Sequence, residues 1–430
     1  MDVSRRGALG MAGAMAGALT GAGARAAAAL PAGMIAADDE AGWARIAALY
    51  PQMGPVTQLE HGYWGNMALP VAEAHRAILA RLNRDTSLYA RRAMRKDQEV
   101  VKARAAQAMG VQPEQIGFCR NAAEALQALI TQFQAVGEGD AILWSDSDYE
   151  TSHNAMRSLA KSHRARPVMI NLPRAPTRDN VIAAYAAAIK ATPRLKFVLL
   201  THGTHKSGLV VPVAEIAALA KAAGAMVLVD CAQSFRMRPF TIPDFGADFA
   251  VLNFHKWTGA PVGVAGFWIR PGAAAMIAPA AGEPDAKPDD VQAKVHQGTL
   301  DYAPQLTLPA ALDFQDRVLP VPMKLARLQY LRNLWVKPLR GLPGLEIMVG
   351  DDPATFGAIT SFRINGHTST ADNIAITDRL LADYGVNTVH RTGLADGACV
   401  RVTPALFTTP DDCAKLVAAL KDLVPKIARG

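Results

Sequence analysis

The middle of this chain alternates short apolar runs with amphipathic helices, and this alternation limits the fold more than any other feature. Mostly apolar runs predict strands at 140–144, 196–201, 225–230, 249–254 and 266–269. Between two of them, residues 213–223 have the pattern of a helix that begins after Pro212 and ends before Gly224. Such strand–helix–strand units build a largely parallel sheet that is buried on both faces. The predicted fold is α/β, with a mostly parallel central sheet, helices on both of its faces, and ligands at the carboxyl ends of the strands.

The pattern changes along the chain, which predicts more than one domain. With 430 residues, half of them hydrophobic, the chain is long enough for two cores. Residues 71–318 form the predicted large domain, and residues 319–430 form a smaller α+β domain. Residues 31–70 are expected to pack on the small domain. The elements expected in the small domain are helices near 324–335, 370–384 and 410–427, and strands near 359–364 and 399–403.

The first 30 residues read as an export signal and not as part of the fold. A basic start is followed by an apolar stretch rich in Ala and Gly, with small residues around Arg25. Ser4-Arg5-Arg6 resembles the twin-arginine motif of the Tat route, which exports folded proteins. A Sec signal or a disordered basic tail is the alternative. We therefore expect a periplasmic protein, and no later stretch is apolar enough over about 20 residues to predict a membrane span.

Charge and cysteine usage exclude several classes of protein. The net charge of +7 comes from scattered Lys and Arg, and no nucleic-acid-binding signature accompanies it. The four cysteines stand far apart and form no CxxC pair. The sequence therefore predicts neither nucleic-acid binding, nor a zinc site, nor a dithiol redox centre.

A helix start at Asn121 is the first candidate for ligand binding. Asn121 is a favourable N-cap, Glu124 stands where a capping glutamate bonds back to it, and apolar residues follow at helical spacing. The N–H groups of a helix N-terminus bind phosphate well. Every helix has such an end, so this pattern alone equally describes a plain capped helix.

The stronger signal is an acidic residue and a lysine after two neighbouring strands. Asp230 ends one apolar strand and Gln233 follows it, while His255-Lys256 follows the next strand ahead of several glycines. A carboxylate there can pair with a protonated pyridine nitrogen. A desolvated lysine there becomes a nucleophilic amine that condenses with an aldehyde. A capping role for Asp230 and a solvated surface role for Lys256 are the alternatives.

These residues, in this order, resemble the class V aminotransferase family, in particular its isopenicillin N epimerase-like branch. The resemblance covers about residues 55–425. It implies the fold type I architecture of pyridoxal 5′-phosphate (PLP) enzymes. The segments that carry it are Asn121-Ala122, Asp148-Tyr149-Glu150, Thr201-His202, Asp230 to Gln233 and His255-Lys256-Trp257.

The resemblance also implies a role for each matching position. Lys256 binds PLP covalently and moves protons, Asp230 pairs with the ring nitrogen, and Tyr149 stacks on the ring. Gln297-Gly298-Thr299 matches a segment that reaches the phosphate of a neighbouring subunit, which implies a homodimer. Arg401 matches the arginine that binds the substrate carboxylate, with Tyr63 and Trp64 in a substrate loop. The further cofactor-binding positions are Asn121, Ala122, Thr201, His205, Gln233, Asn253 and His255.

Departures from the family pattern bear on the reaction. Glu60 stands where asparagine is usual, and His205 where asparagine often lies near the ring oxygen. The loop 391–396 resembles the one that carries a sulfur-accepting cysteine in desulfurases, but it holds no thiol. We expect an enzyme that acts on an amino group alpha to a carboxylate, with aminotransfer favoured on a secondary metabolite or peptide-like substrate. Epimerisation, C–S lysis and a non-catalytic binding protein of the same fold are the alternatives.

Overall fold

The computed structural model describes residues 33–51 and 54–429, so the predicted signal at 1–30 lies outside the described residues. The helices are α1 Glu40–Ala47, α2 Leu69–Arg92, α3 Met94–Met109, α4 Ala122–Thr131, α5 Glu150–His163, α6 Arg178–Lys190, α7 Val213–Ala222, α8 Ala303–Val318, α9 Val321–Val336, α10 Thr370–Tyr384 and α11 Pro410–Leu423. The strands are β1 Thr57–Gln58, β2 Ile116–Cys119, β3 Ala141–Ser145, β4 Arg166–Ile170, β5 Leu195–Thr201, β6 Met226–Asp230, β7 Phe249–Asn253, β8 Ala265–Ile269, β9 Leu345–Ile347, β10 Thr360–Ile364, β11 Val386–Asn387, β12 Val389–Arg391 and β13 Cys399–Val402.

The central sheet has seven strands in the order β2-β8-β7-β6-β5-β3-β4. Strands β3 to β7 pair in parallel, while β8 runs antiparallel to both of its neighbours, β7 and β2. The five strands predicted from the apolar runs are present, each within one residue of its expected ends. The prediction of a mostly parallel central sheet is confirmed, with one reversed strand that the sequence pattern did not indicate.

Both faces of the sheet are covered by helices, as alternate residues of β5 illustrate. Phe197 and Leu199 pack into the core that contains α4 and α5. Val198 and Leu200 pack into the core on the opposite face, which includes residues of α6 and α7. Because side chains alternate across a strand, a strand that is buried on both faces must be apolar at every position. This explains why the sheet strands read as continuous apolar runs.

A second, antiparallel sheet lies in the carboxyl-terminal part of the chain. Its strand order is β12-β13-β10-β9, and its core contains Trp335 of α9, Leu380 of α10 and Leu416 of α11. The amino-terminal segment reaches this region, because β1 pairs in parallel with β11 and Glu60 bridges to Thr403. This crossing places Glu60 next to β13, where Arg401 lies.

The sequence pattern did not predict β2, β4 or α2. Strand β4 lies at the sheet edge and is largely exposed, and β2 is only four residues long, so neither gives a strong apolar signal. Helix α2 is mostly exposed, with only Val71 and Tyr89 buried. Within the described ranges, no helix combines the length and apolar character needed to cross a bilayer.

Candidate active site

The carboxyl ends of neighbouring parallel strands bring most of the predicted site residues to one edge of the sheet. Thr201 ends β5, Asp230 ends β6 and Asn253 ends β7, and β6 lies between the other two strands. Lys256 follows β7 by three residues, in a turn that continues through Gly259 at a φ of +69°. A residue without a side chain suits that left-handed turn. The strand order therefore explains why Asp230 and Lys256 interact.

The environment of Lys256 favours its neutral amine. Lys256 is partly buried, and its pKa falls from 10.5 to about 8. Burial is the main cause, and the charge of Asp230 acts in the opposite direction, while Arg401 and Arg391 lower the pKa further. Asp230 is itself buried, which raises the pKa of its carboxyl group, although the Ala232 N–H donates a hydrogen bond to it at 2.8 Å. The pair combines a nucleophilic amine with an acid that can partner a cationic ring nitrogen.

The start of α4 is fixed to β7 by side-chain hydrogen bonds. Asn121 caps the helix, with its side chain accepting from the N–H of Glu124 at 2.9 Å. Asn253 accepts from the N–H of Ala122 at 2.9 Å, which ties the helix to the strand end. The prediction that the Glu124 side chain bonds back to the N–H of Asn121 was wrong. The Glu124 carboxylate instead accepts from the N–H of Arg120 at 2.7 Å. The same carboxylate also forms an ion pair with the guanidinium of Arg120 at 2.5 Å, which holds it beside Arg120.

Three other side chains that were predicted to bind the cofactor interact with other groups of the protein. The Gln233 amide donates to the carbonyl of Gly62 at 2.7 Å, and its buried Oε1 has no partner. The Thr201 hydroxyl donates to Asp148 at 2.6 Å. His255 is buried with its Nδ1 3.2 Å from the carbonyl of Val264, and burial lowers its pKa to about 4. These bonds hold the three side chains in place around the strand ends.

Tyr149 and His205 form an aromatic wall. Their rings meet edge to face with centroids 5.2 Å apart. Tyr149 is partly exposed, and burial together with the nearby charge of Glu150 raises the pKa of its phenol. Burial lowers the pKa of His205 to about 4, although its Nε2 lies 3.3 Å from Glu150. At neutral pH, Tyr149 is therefore a protonated donor and His205 a neutral ring.

Arg401 does not present a free guanidinium. Its Nε lies 3.3 Å from Oε2 of Glu60, its Nη2 bonds to Oε1 of Glu60, and its Nη1 donates to the carbonyl of His205 at 3.0 Å. Arg401 is only 1% exposed, and burial lowers its pKa to about 10. Arg391 lies 3.7 Å from the same Glu60 oxygen. Glu60 therefore sits between two arginines.

The loop that contains Tyr63 and Trp64 covers this cluster. A Cβ on Gly62 would lie 2.6 Å from Nη2 of Arg401, and one on Gly65 would lie 2.0 Å from the carbonyl oxygen of Lys256. Only glycine permits such close backbone approaches. Tyr63 and Trp64 pack edge to face at 4.8 Å and are 67% and 51% exposed. The loop thus brings two open aromatic rings to the site.

The remaining predictions concern Thr299 and metal binding. Thr299 is exposed and follows Gly298 at a φ of +57°. No hydrogen bond or ion pair joins Thr299 to the other site residues in the described part of the chain, and its predicted role belongs to a second subunit. Among residues 33–51 and 54–429, no group of three or more His, Cys, Asp or Glu has the arrangement of a metal site.

The residues fit PLP. Lys256 can bind its aldehyde, Asp230 its ring nitrogen, and the capped start of α4 together with His255 its phosphate. The second N–H of the Gln233 amide remains available for the ring oxygen, since Gly62 accepts only one bond. The unpartnered Oε1 of Gln233 is a buried polar atom of the kind that a bound group satisfies.

Sequence reasoning missed an ion pair between the buried Lys206 and the partly exposed Glu150. Lys206 is fully buried, and its Nζ donates to the carbonyl of Asp146 at 2.6 Å and lies 3.5 Å from Glu150. Burial works against the charged form of Glu150, but His205 and Lys206 nevertheless hold its pKa at about 2. Glu150 follows the buried strand β3 and Lys206 follows the buried strand β5. Charged residues just after two buried strands were the sequence signal that could have revealed this pair.

Comparison with known proteins decides the family. The model of the class-V aminotransferase family matches residues 71–410. The chain belongs to this family. Its members depend on PLP, and PLP is therefore the cofactor of this enzyme.

The relatives of this class-V enzyme catalyse different reactions. It is 26% identical over 400 residues to isopenicillin N epimerase of Amycolatopsis lactamdurans, which covers 89% of this chain and 98% of the relative. It is 26% identical over 334 residues to a cysteine desulfurase of Yersinia pestis (strain Pestoides F), covering 72% and 77% of the two chains. The structure of a cysteine desulfurase from Thermococcus onnurineus NA1 superposes with a TM-score of 0.75 at 17% identity, covering 92% of this chain and all of the other. That last likeness concerns the fold alone.

Proposed function

We propose that this class-V enzyme acts in the periplasm on an amino group alpha to a carboxylate, and that it transfers the amino group of a secondary metabolite or peptide-like substrate. The observation that carries the proposal is Lys256, whose pKa falls to about 8 beside the buried carboxyl group of Asp230. A general base works best when its pKa lies near the operating pH. A binding protein would have no need of such a base.

PLP, Asp230 and Lys256 would each have a distinct role in the reaction. When bound, PLP supplies an electron sink for the negative charge that develops at the carbon bearing the amino group. Asp230 favours the protonated ring nitrogen and so strengthens that sink. Lys256, in its neutral form, would take the proton from that carbon. Amino transfer requires that the lysine deliver this proton to the carbon of the cofactor's aldehyde group and not back to the substrate carbon.

Epimerisation is the second candidate, and Tyr149 is the observation that favours it. Inversion at a carbon requires a proton donor on each face, and the raised pKa of Tyr149 keeps its phenol protonated. The full-length similarity to isopenicillin N epimerase also supports this candidate. Transfer requires only Lys256 as a mobile proton carrier, and we therefore rank it first.

Sulfur transfer has the least support. A desulfurase mechanism needs an accessible thiolate, whereas Cys119, Cys231, Cys399 and Cys413 are all buried. In the loop 391–396, Gly393 packs against Lys206 and Glu150, since a Cβ there would lie 3.0 Å from each of them. C–S lysis without a protein thiol is an alternative that the product analysis below detects.

The reaction type is tested with the purified holoenzyme, a panel of amino acids and peptides, and an added keto acid in heavy water. Formation of the keto acid of the substrate, together with amination of the added keto acid, supports transfer. Deuterium at the alpha carbon with loss of chirality and no keto acid contradicts it and supports epimerisation. Release of sulfide or persulfide from cystine identifies a lyase. Covalent attachment of PLP to Lys256 is checked by borohydride reduction and mass mapping of the labelled peptide.

Export and assembly complete the proposal. The Arg5-Arg6 pair supports the Tat route, and lysine at both positions should retain the enzyme in the cytoplasm. Unchanged periplasmic activity of that variant contradicts the route. A homodimer is supported by the match of Gln297-Gly298-Thr299 to the segment that reaches the phosphate of a neighbouring subunit in this family. Light scattering should give twice the monomer mass, and a fully active monomer contradicts the dimer.

A further inference from the structure

We propose that Arg391, and not Arg401, binds the acidic group of the substrate, because Glu60 already occupies the guanidinium of Arg401. This inference rests on the proposed function, since it concerns how the same site recognises an amine that carries an anionic group. It also narrows the substrate class, because the anion must lie where Arg391 reaches it.

All three nitrogen positions of Arg401 are in use. Nε and Nη2 face the carboxylate of Glu60, and Nη1 donates to the carbonyl of His205. A substrate carboxylate at Arg401 would have to displace the Glu60 carboxylate, which is bound in the same two-point manner. Exchanging one carboxylate for another gains no new charge-assisted bonds. It also leaves Glu60, whose side chain is only 13% exposed, with no charged contact except the 3.7 Å approach of Arg391.

Glu60 is also held in place through its backbone. Its N–H donates to the Gln58 side chain at 3.1 Å, and the residue bridges to Thr403 beside β13. The next turn of the chain closes the other side, because the Cα of Gly62 packs so close to Arg401 that a Cβ would lie 2.6 Å from Nη2. With the carboxylate on one side and the loop on the other, the Arg401 side chain is only 1% exposed.

Arg391 is more exposed than Arg401 and makes fewer contacts with the protein. Its single charged contact is the 3.7 Å approach of Nη2 to Glu60, and its Nε has no hydrogen-bond partner among the described residues. About a quarter of the side chain is exposed, at 24%. A guanidinium has five N–H donors, so most of those of Arg391 remain available.

The charge of Arg391 acts on two groups of the site, and Arg391 lies 3.7 Å from Glu60, which pairs with Arg401. Its charge lowers the pKa of Lys256 and opposes the rise in the pKa of Tyr149. Together with Arg401 and Glu60, it leaves this cluster with one unbalanced positive charge. A single carboxylate or other monoanionic group on the substrate would balance that charge.

The test measures anion binding separately from turnover. Maleate has two carboxylates and no amino group, so it can bind the holoenzyme without reacting, and calorimetry gives its Kd. We expect Arg391→Gln to weaken maleate binding at least tenfold, and Arg391→Lys to weaken it less. Arg317→Gln, which removes an exposed charge on α8, is the matched control and should leave the Kd unchanged.

A second variant separates the two arginines. Glu60→Gln removes the negative charge that pairs with Arg401, so a maleate carboxylate can compete for this guanidinium. In the Arg391→Gln background this change should restore maleate binding by tenfold or more. An unchanged Kd in Arg391→Gln overturns the inference, as does a wild-type protein that binds no maleate. Thermal unfolding of each variant shows whether it folds.

Reaction of L- and D-alanine compared with alaninamide, followed by the absorbance of the cofactor, gives the second readout. Arg391→Gln should abolish the preference for alanine over its amide. If alanine and its amide leave the absorbance unchanged in every variant, the maleate result still decides the role of Arg391, while the panel of amino acids and peptides decides the proposed function.

Discussion

The pKa of Lys256 offers the most direct test of the site, because it can be measured without knowing the substrate. A fall from 10.5 to about 8 corresponds to about 3 kcal/mol in favour of the neutral amine. At pH 7 it raises the neutral fraction from about 0.03% to about 9%, which is a gain of about 300-fold in reactive amine. The rate at which the cofactor-free enzyme captures PLP should therefore rise with pH and level off above about pH 8.

Two substitutions should move this pKa in opposite directions. The charge of Asp230 raises the pKa of Lys256, so Asp230→Asn should lower it further. The charge of Arg391 lowers the same pKa, so Arg391→Gln should raise it. A loss of local structure would instead expose Lys256 and shift its pKa upward in both variants.

The assay is competitive acetylation of the cofactor-free protein across pH, with the Lys256 peptide quantified by mass spectrometry. Lys161 is exposed and serves as the internal reference, while the fully buried Lys206 should stay unlabelled as long as the protein is folded. A midpoint near 10.5 in the wild type would refute this account of the site, as would shifts of the same sign in the two variants while Lys206 stays unlabelled.

Three further predictions address the elements around Lys256. Asn121→Ala removes the cap of α4 and should lower the free energy of unfolding by about 1 kcal/mol in chemical denaturation; an unchanged stability would show that the cap is not needed. Gly65→Ala places a Cβ 2.0 Å from the carbonyl oxygen of Lys256 and should impair PLP binding in spectroscopic titration, whereas Gly350→Ala, which meets no atom within 4 Å, should not. Burial raises the pKa of Asp148 to about 6, so the folded state binds this proton more tightly than the unfolded state. The unfolding free energy of the wild type, relative to Asp148→Asn, should thus fall by about 3 kcal/mol as the pH rises from about 4 through 6, and a flat difference would contradict this assignment.

The sequence alone determined the sheet and the position of its chemistry. Parallel strands that are buried on both faces require uninterrupted apolar runs, so β5, β6 and β7 could be read with an error of one residue at each end. The residues that follow those runs lie at one edge of the sheet by geometry, which is why Asp230 and Lys256 could be paired from their order in the chain. Strands β2 and β4 could not be read in this way, because a short strand and an exposed edge strand carry little apolar signal.

Only the tertiary structure decided how the polar residues are paired. The sequence assigned Arg401 to the substrate, but the crossing of the amino-terminal segment onto β13 brings Glu60 to its guanidinium, across 341 positions of the chain. The same folding leaves Arg391 with free donors and buries Lys206 against Glu150. The spacing of apolar residues indicates which side of a strand or helix is buried, and this pattern lies within the residues of that element. Charge pairing depends on contacts between distant segments, and a single sequence contains no local pattern that specifies them.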